Sequence, residues 1–258
     1  MYDEFNAILQ FYKSNGYDWN KLDPPDKIKL RESGKGFSRD EFAEALIWSL
    51  LSAQRPWCQI ETHLNELKQV FHNFDWEYLK SADPIELENG VKALSCGNRQ
   101  IKRQMQTLRQ NLLMLEKAEK DFGSLDAFVT SDKPLVVANR LAYGDYKLQC
   151  VGVPLAMEFI KGVGVDTVKP DVHIVRILQR WGYVPVVSDV DSYVVSVVKD
   201  IAKETGLYQM QVDSILWQFC ATGYYEICVA RPRCSKCPVN RECIWCKRTL
   251  LAAMRCEI

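Results

Sequence analysis

The sequence predicts an all-α protein, and three observations carry that prediction. Residues 99–120 set Ile101, Met105, Leu108, Leu112 and Leu115 on one helical face. Residues 189–203 repeat Val190, Val194, Val197, Val198 and Ile201 at the helical period. Their β-branched side chains would also suit a strand, but the strict alternation of a strand is missing. Residues 42–54, FAEALIWSLLSAQ, are apolar on nearly every side, as a buried helix is.

The other elements follow in chain order. A first helix falls within residues 1–20, where Phe5, Ile8, Leu9 and Tyr12 share a face. Asp23-Pro24-Pro25 then breaks the chain, and residues 21–38 read as a connector with Gly34 and Gly36. Ser38 caps the buried helix, and Glu41 three residues on completes a capping box. Residues 59–72 make an amphipathic helix on Ile60, Leu64, Leu67, Val70 and Phe71. Ser81 or Asp83 caps a short helix ending near Leu94. The long helix stops at Gly123, and short helices follow at 125–129 and 134–143. There is no internal repeat and no low-complexity segment.

A chain of 258 residues can bury a substantial core, and 47% hydrophobic with 26% charged residues is ordinary globular composition. The N-terminus is acidic and polar, and no apolar run reaches membrane-span length, so a cytoplasmic protein is expected. Net charge is zero, so attraction to nucleic acid must rest on local clusters. Two exist: Arg99, Lys102, Arg103 and Arg109, and then Arg231, Arg233, Lys236, Arg241, Lys247 and Arg248. Either could equally be a solvated face.

Six of the ten cysteines crowd into residues 220–246. In a reducing compartment such crowding argues for metal rather than disulfides. Cys234 and Cys237, then Cys243 and Cys246, form two CxxC pairs of the kind that hold zinc, but only five residues separate the pairs, short of the usual zinc-ribbon loop. Four thiolates on so compact a loop also suit iron–sulfur.

The chain is organised around residues 148–176, LQCVGVPLAMEFIKGVGVDTVKPDVHIVR. It reads as a tight turn at Val151-Gly152, a short helix, a second turn through Gly162 and Gly164, and a helix opening on Pro170-Asp171. With LLSAQ at 50–54 and Cys228-x5-Cys234-x2-Cys237-x5-Cys243, this stretch resembles the helix-hairpin-helix DNA glycosylases of the endonuclease III superfamily. The hairpin wording is also similar to 3-methyladenine DNA glycosylase I. LQCVGVPLA stands for the hairpin that grips DNA backbone, with Cys150 at the place of its first glycine, so the turn should differ slightly. A second match, Ile160 to Asp166, would put the expected aspartate near Val184, where there is none.

The resemblance implies a two-lobed helix-hairpin-helix DNA glycosylase fold with a C-terminal iron–sulfur loop. A six-helix lobe, 39–160, would be inserted into a second lobe made of 1–38 and 161–258. It implies that Asp171 is catalytic, stabilising cationic charge at C1′ and orienting the attacking water. At a helix head an aspartate is also an ordinary N-cap, and the two roles are compatible. DNA contacts would come from Gln54, Asn98, Arg99, Val151, Gly152 and Val153, with Gln54 filling the space of the flipped base and a wedge residue near Cys96. A 4Fe–4S cluster would sit on Cys228, Cys234, Cys237 and Cys243. The first gap is one residue shorter than the family's, which leaves Cys220 open as an alternative to Cys228.

Trp48, Trp57, Tyr143 and Trp217 could line a base pocket or simply pack the core, and His173 reads as a helix-packing residue. The family's strand-cleaving lysine falls at Pro154, so the enzyme would be monofunctional, leaving an abasic site in an intact strand. The implied partner is double-stranded DNA with a damaged or modified base, an alkylated purine first, and the protein a nucleoid-associated, prokaryotic-type monomer. No substrate-recognition domain of the adenine-excising type is expected after Ile258, which would argue mildly against that branch. The alternatives are a non-catalytic iron–sulfur DNA-binding module and a bifunctional glycosylase/lyase.

Overall fold

The computed structural model describes residues 2–16 and 26–248. Every regular element among them is a helix. The chain divides into two compact units: Asp26–Asp166 is one, and the flanking segments Met1–Pro25 and Thr167–Ile258 form the other.

The flanking unit opens with α1 (Asp3–Ser14). The inner unit then runs through α2 (Asp26–Glu32), α3 (Arg39–Leu51), α4 (Trp57–Glu61), α5 (Leu64–Val70), α6 (Trp76–Ser81), α7 (Pro84–Ala93), α8 (Ile101–Phe122), α9 (Leu125–Val129), α10 (Pro134–Ala142) and α11 (Val153–Gly162). The flanking unit resumes with α12 (Val172–Trp181), α13 (Val190–Thr205) and α14 (Gln209–Cys220).

The buried helix of the sequence is α3. Ser38 and Glu41 form its capping box, and Phe42, Leu46, Ile47, Leu50 and Leu51 are fully buried. It packs against α11, where a Cβ on Gly162 would come within 2.9 Å of the Ala45 Cβ. Two residues on, Gly164 has φ +79°, and a Cβ there would lie 2.3 Å from the Lys27 carbonyl oxygen, so only glycine fits. The long helix and the valine-rich helix form as anticipated, and Gly123 ends α8 in the left-handed conformation.

Four readings change. The connector 21–38 contains α2, whose Lys27 Nζ donates to Gly162 O at 2.8 Å and whose Arg31 Nε donates to Val163 O at 2.8 Å. These cations satisfy carbonyls that α11 leaves unpaired at its end. Residues 17–25, with the Asp23-Pro24-Pro25 break, lie outside the described residues. The helix expected over 59–72 is broken at Thr62-His63, where the Thr62 hydroxyl bonds back to Gln59 O at 3.1 Å and competes with the backbone ladder. The third change is α6, which was not anticipated: Asp75 caps it by accepting from Tyr78 N, while Asp83, not Ser81, caps α7. Last, α14 was missed because it buries polar Gln211 and Asp213 beside Val212, Ile215, Leu216 and Phe219, which blurs its apolar face.

Candidate functional site

In the inner unit, the helix–hairpin–helix falls on α10, the turn before Val153, and α11. Residues 160–166, the competing match, instead form the end of α11 and its exit. The turn is re-joined to α10 by Leu148 N donating to Leu141 O at 2.8 Å. Cys150 takes φ 62°, the left-handed conformation that a glycine adopts without cost and other residues at about 1–2 kcal/mol. The backbone at this place thus takes a conformation that favours glycine, with a cysteine in it.

What holds that turn is Asn111 of α8, 1% exposed. Its Oδ1 accepts from Gln149 N at 2.6 Å and its Nδ2 donates to Gln149 O at 3.1 Å. Val151 and Val153 are buried, so that stretch presents backbone rather than valine side chains. A Cβ on Gly152 would meet nothing nearer than Pro154 Cδ at 4.0 Å, so the space above it is open. No side chain caps α11, and Pro154 occupies its first turn. An uncapped helix head with open backbone above it suits an anion.

Also in the inner unit, the end of α3 and the loop after α7 are tied together. Gln54 is exposed at φ 55°. Its neighbour Arg55 donates to the carbonyls of Ser95 and Gly97. Asn98 and Gln104 both donate to Leu50 O at 3.0 Å. The Asn98 side chain is thus 7% exposed and committed inside the unit, its Oδ1 also accepting from Gln100 N. Cys96, placed near the wedge by sequence, is fully buried with its thiol against Gln59 O and Leu94 O, so it cannot project as a wedge. Arg99, Lys102, Arg103 and Arg109 are exposed, with no acidic partner among the described residues.

The flanking unit carries Asp171. It is the N-cap of α12, and its Oδ1 accepts from His173 N at 2.8 Å and Ile174 N at 3.2 Å. Its Oδ2 makes no hydrogen bond among the described residues. Burial lowers the pKa of His173 from 6.5, against the opposing pull of Asp171 and with help from Arg176. A neutral ring fits its contacts: Nδ1 faces Arg176 Nη2 at 3.0 Å, and the ring hydrogen-bonds the Cys220 backbone. Its centroid lies 6.1 Å from Trp217, which packs on Tyr224 at 4.8 Å. Of the other aromatics named from sequence, Trp48 and Trp57 pack together at 6.1 Å, and Tyr143 is 71% exposed.

Further along this unit, Cys228, Cys234, Cys237, Cys243 and Cys246 line one small pocket. Cys220 is not among the lining residues; its thiol hydrogen-bonds Cys228. That bond, with Arg180 against opposing burial, lowers Cys228 to about 6. Burial pushes Cys237 up to about 12, and burial with the neighbouring Cys246 pushes Cys234 up to about 11. Arg180 of α12 donates to Cys228 Sγ at 3.2 Å, Val229 O at 2.7 Å and Ala230 O at 2.9 Å, and lies 4.8 Å from the Trp245 ring centroid. Among the described residues, no group of three or more His, Cys, Asp or Glu side chains is set to hold a single metal ion.

Sequence reasoning missed Arg55, Asn111, Arg180 and the place of Cys246. One signal was available for Asn111: with Gln104, it is a polar residue on the otherwise apolar face of α8, two turns apart.

No protein-family model matches the chain, and no curated protein does. Among solved structures, the chain is similar to the Methanocaldococcus jannaschii 8-oxoguanine glycosylase/lyase, crystallised with a 15mer DNA containing 8-oxoguanine. Identity is 18% and the TM-score 0.58, over 85% of this chain and 97% of that one. The fold is therefore the all-α fold of the helix-hairpin-helix DNA glycosylases. No described helix is long and apolar enough to cross a membrane.

Proposed function

We propose that this chain is a DNA glycosylase acting as a monomer on double-stranded DNA that carries a damaged or modified base, with an alkylated purine as the first expectation. The carrying observation is the carboxylate of Asp171. One oxygen is spent on the helix cap, which fixes its direction, and the other has no hydrogen bond among the described residues. In this reading Oδ2 holds the attacking water and stabilises the positive charge that grows at C1′ as the glycosidic bond breaks. The uncapped head of α11 and the exposed Arg99 serve the DNA backbone, and Gln54 the space left by the flipped base. The neighbour in fold is named as a glycosylase/lyase bound to lesion-bearing DNA, which supports the general activity.

Five thiols among the residues that line the pocket make a donor set of the kind a 4Fe–4S cluster takes, which supports that reading. Cys228, Cys234, Cys237 and Cys243 would hold it. Bound there, it supplies a structural cross-link for a basic loop and no bond-breaking chemistry.

Water as the only nucleophile is the finer part of the proposal, carried by Pro154 in the first turn of α11. A panel of duplexes, each with one lesion (3-methyladenine, 7-methylguanine, hypoxanthine, 8-oxoguanine or uracil), tests both parts. Base release from at least one, with no borohydride-trapped protein–DNA adduct, is the expected result. No release from any duplex refutes the glycosylase; an adduct traced to a lysine refutes the water-only mechanism and favours a glycosylase/lyase like the neighbour.

A further inference from the structure

Gln54 stands between two ties to the loop before α8. Ahead of it in the chain, the Leu50 carbonyl accepts from Asn98 Nδ2 at 3.0 Å. Just after it, Arg55 Nη1 donates to the Ser95 carbonyl and Arg55 Nη2 to the Gly97 carbonyl. Nη1 also donates to Gln59 Oε1 of α4 at 2.7 Å. One guanidinium thus joins the turn that carries Gln54, the helix α4 and the loop 95–97. Both the turn and the loop hold a residue in a conformation that L side chains rarely adopt: Gln54 and Ser95 each have φ 55°, and both are exposed. Such a backbone persists only where its surroundings over-determine it, and the planar fork of Arg55 supplies two of the bonds that do so.

We infer that Arg55 is a positioning residue: it locks the Gln54 turn and the loop 95–97 into one edge, so that Gln54 meets DNA already aimed. This rests on the role proposed above for Gln54, in the space left by a flipped base. A side chain fixed before binding loses little freedom when it enters that space. One on a loose turn must be ordered at that moment, and the loss shows on DNA with a gap in its stack rather than on intact duplex. Lysine at this place would keep the charge but not the fork, because an ammonium is a point charge on a flexible stem.

The test measures affinity for two duplexes of one sequence, one intact and one carrying a tetrahydrofuran abasic-site analogue; their ratio reports how well the gap is filled. The wild-type protein should prefer the analogue. Gln54→Ala should lose most of that preference, and Arg55→Lys should lower it about fivefold. The double variant should lose no more than Gln54→Ala alone, because Arg55 acts through Gln54. An Arg55→Lys protein with the wild-type ratio overturns the inference, even where it binds both duplexes more weakly, as loss of a phosphate contact would make it do. Additive losses in the double variant also overturn it, since Arg55 would then work apart from Gln54. Gln59→Ala removes one of the three acceptors of the guanidinium and should lower the ratio by less. Where Arg55→Lys fails to fold, a Gln59→Ala protein with the wild-type ratio is the refuting result. A wild-type protein with no preference for the analogue would instead sink the reading of Gln54 itself, before any variant is compared.

Discussion

Asp171 caps α12, and two substitutions separate that cap from its proposed catalytic role. Asp171→Ala removes the acceptor of two backbone N–H groups, at 2.8 and 3.2 Å, from the head of α12. Loss of such a cap costs about 1–2 kcal/mol. Asp171→Asn keeps a carbonyl oxygen in the place of Oδ1, and asparagine caps as well as aspartate, so stability should fall by only a few tenths of a kcal/mol. The chemistry divides the other way. Both variants lose the negative charge at Oδ2, and with it, on the proposed mechanism, charge stabilisation worth at least about 100-fold in rate. If the residue were a cap alone, Asp171→Asn would be close to wild type, and Asp171→Ala would still be mostly folded and active at 25 °C. The assay is single-turnover base release at saturating enzyme, beside urea unfolding of each protein. An Asp171→Asn enzyme that releases base within about threefold of wild type, less than 1 kcal/mol in barrier, would refute the catalytic assignment. A destabilised Asp171→Asn protein would instead refute the capping geometry.

Asn111→Ala should destabilise the protein by about 2 kcal/mol, since it strands both backbone groups of Gln149, and should weaken DNA binding at every salt concentration. Urea midpoints and fluorescence anisotropy on duplex DNA read the two effects; unchanged affinity would separate the hairpin from DNA. Burial holds His173 below its ordinary 6.5, so the unfolded chain binds its proton first as pH falls. The stability this contributes is complete above 6.5 and is lost as pH drops through the lower folded value. His173→Gln should flatten that part of the stability–pH curve, and a curve of unchanged slope below 6.5 would contradict it.

Helices with one clean apolar face were legible in the sequence: α8 through Ile101, Met105, Leu108 and Leu112, and α13 through Val194, Val198 and Ile201. Caps written in local residues were legible too, as with Ser38 and Glu41, and Asp171. Short elements were not. A seven-residue helix such as α2 buries only Ile28, so its sequence carries no period, and its stability comes from cations reaching the distant Gly162 and Val163 carbonyls. Asn98 shows the same limit at the site. Sequence offers a polar residue in a loop, and nothing local says whether it turns outward or, as here, inward to Leu50 and Gln104.

Within the flanking unit, α12 does for Asp171 what α8 does for the hairpin. The cap bonds fix the carboxylate to the first turn of α12. Arg176 and Arg180, one turn apart on the same face, fix that helix to the cysteine loop through the carbonyls of Cys228, Val229 and Ala230. Carbonyls in an irregular loop have no ladder to satisfy them, and guanidinium groups supply several donors each, so the loop is ordered by the helix as much as by its own turns. One link between that loop and Asp171 runs through the two arginines and the ten residues of α12. That link is short compared with the irregular chain between Gly223 and Cys243.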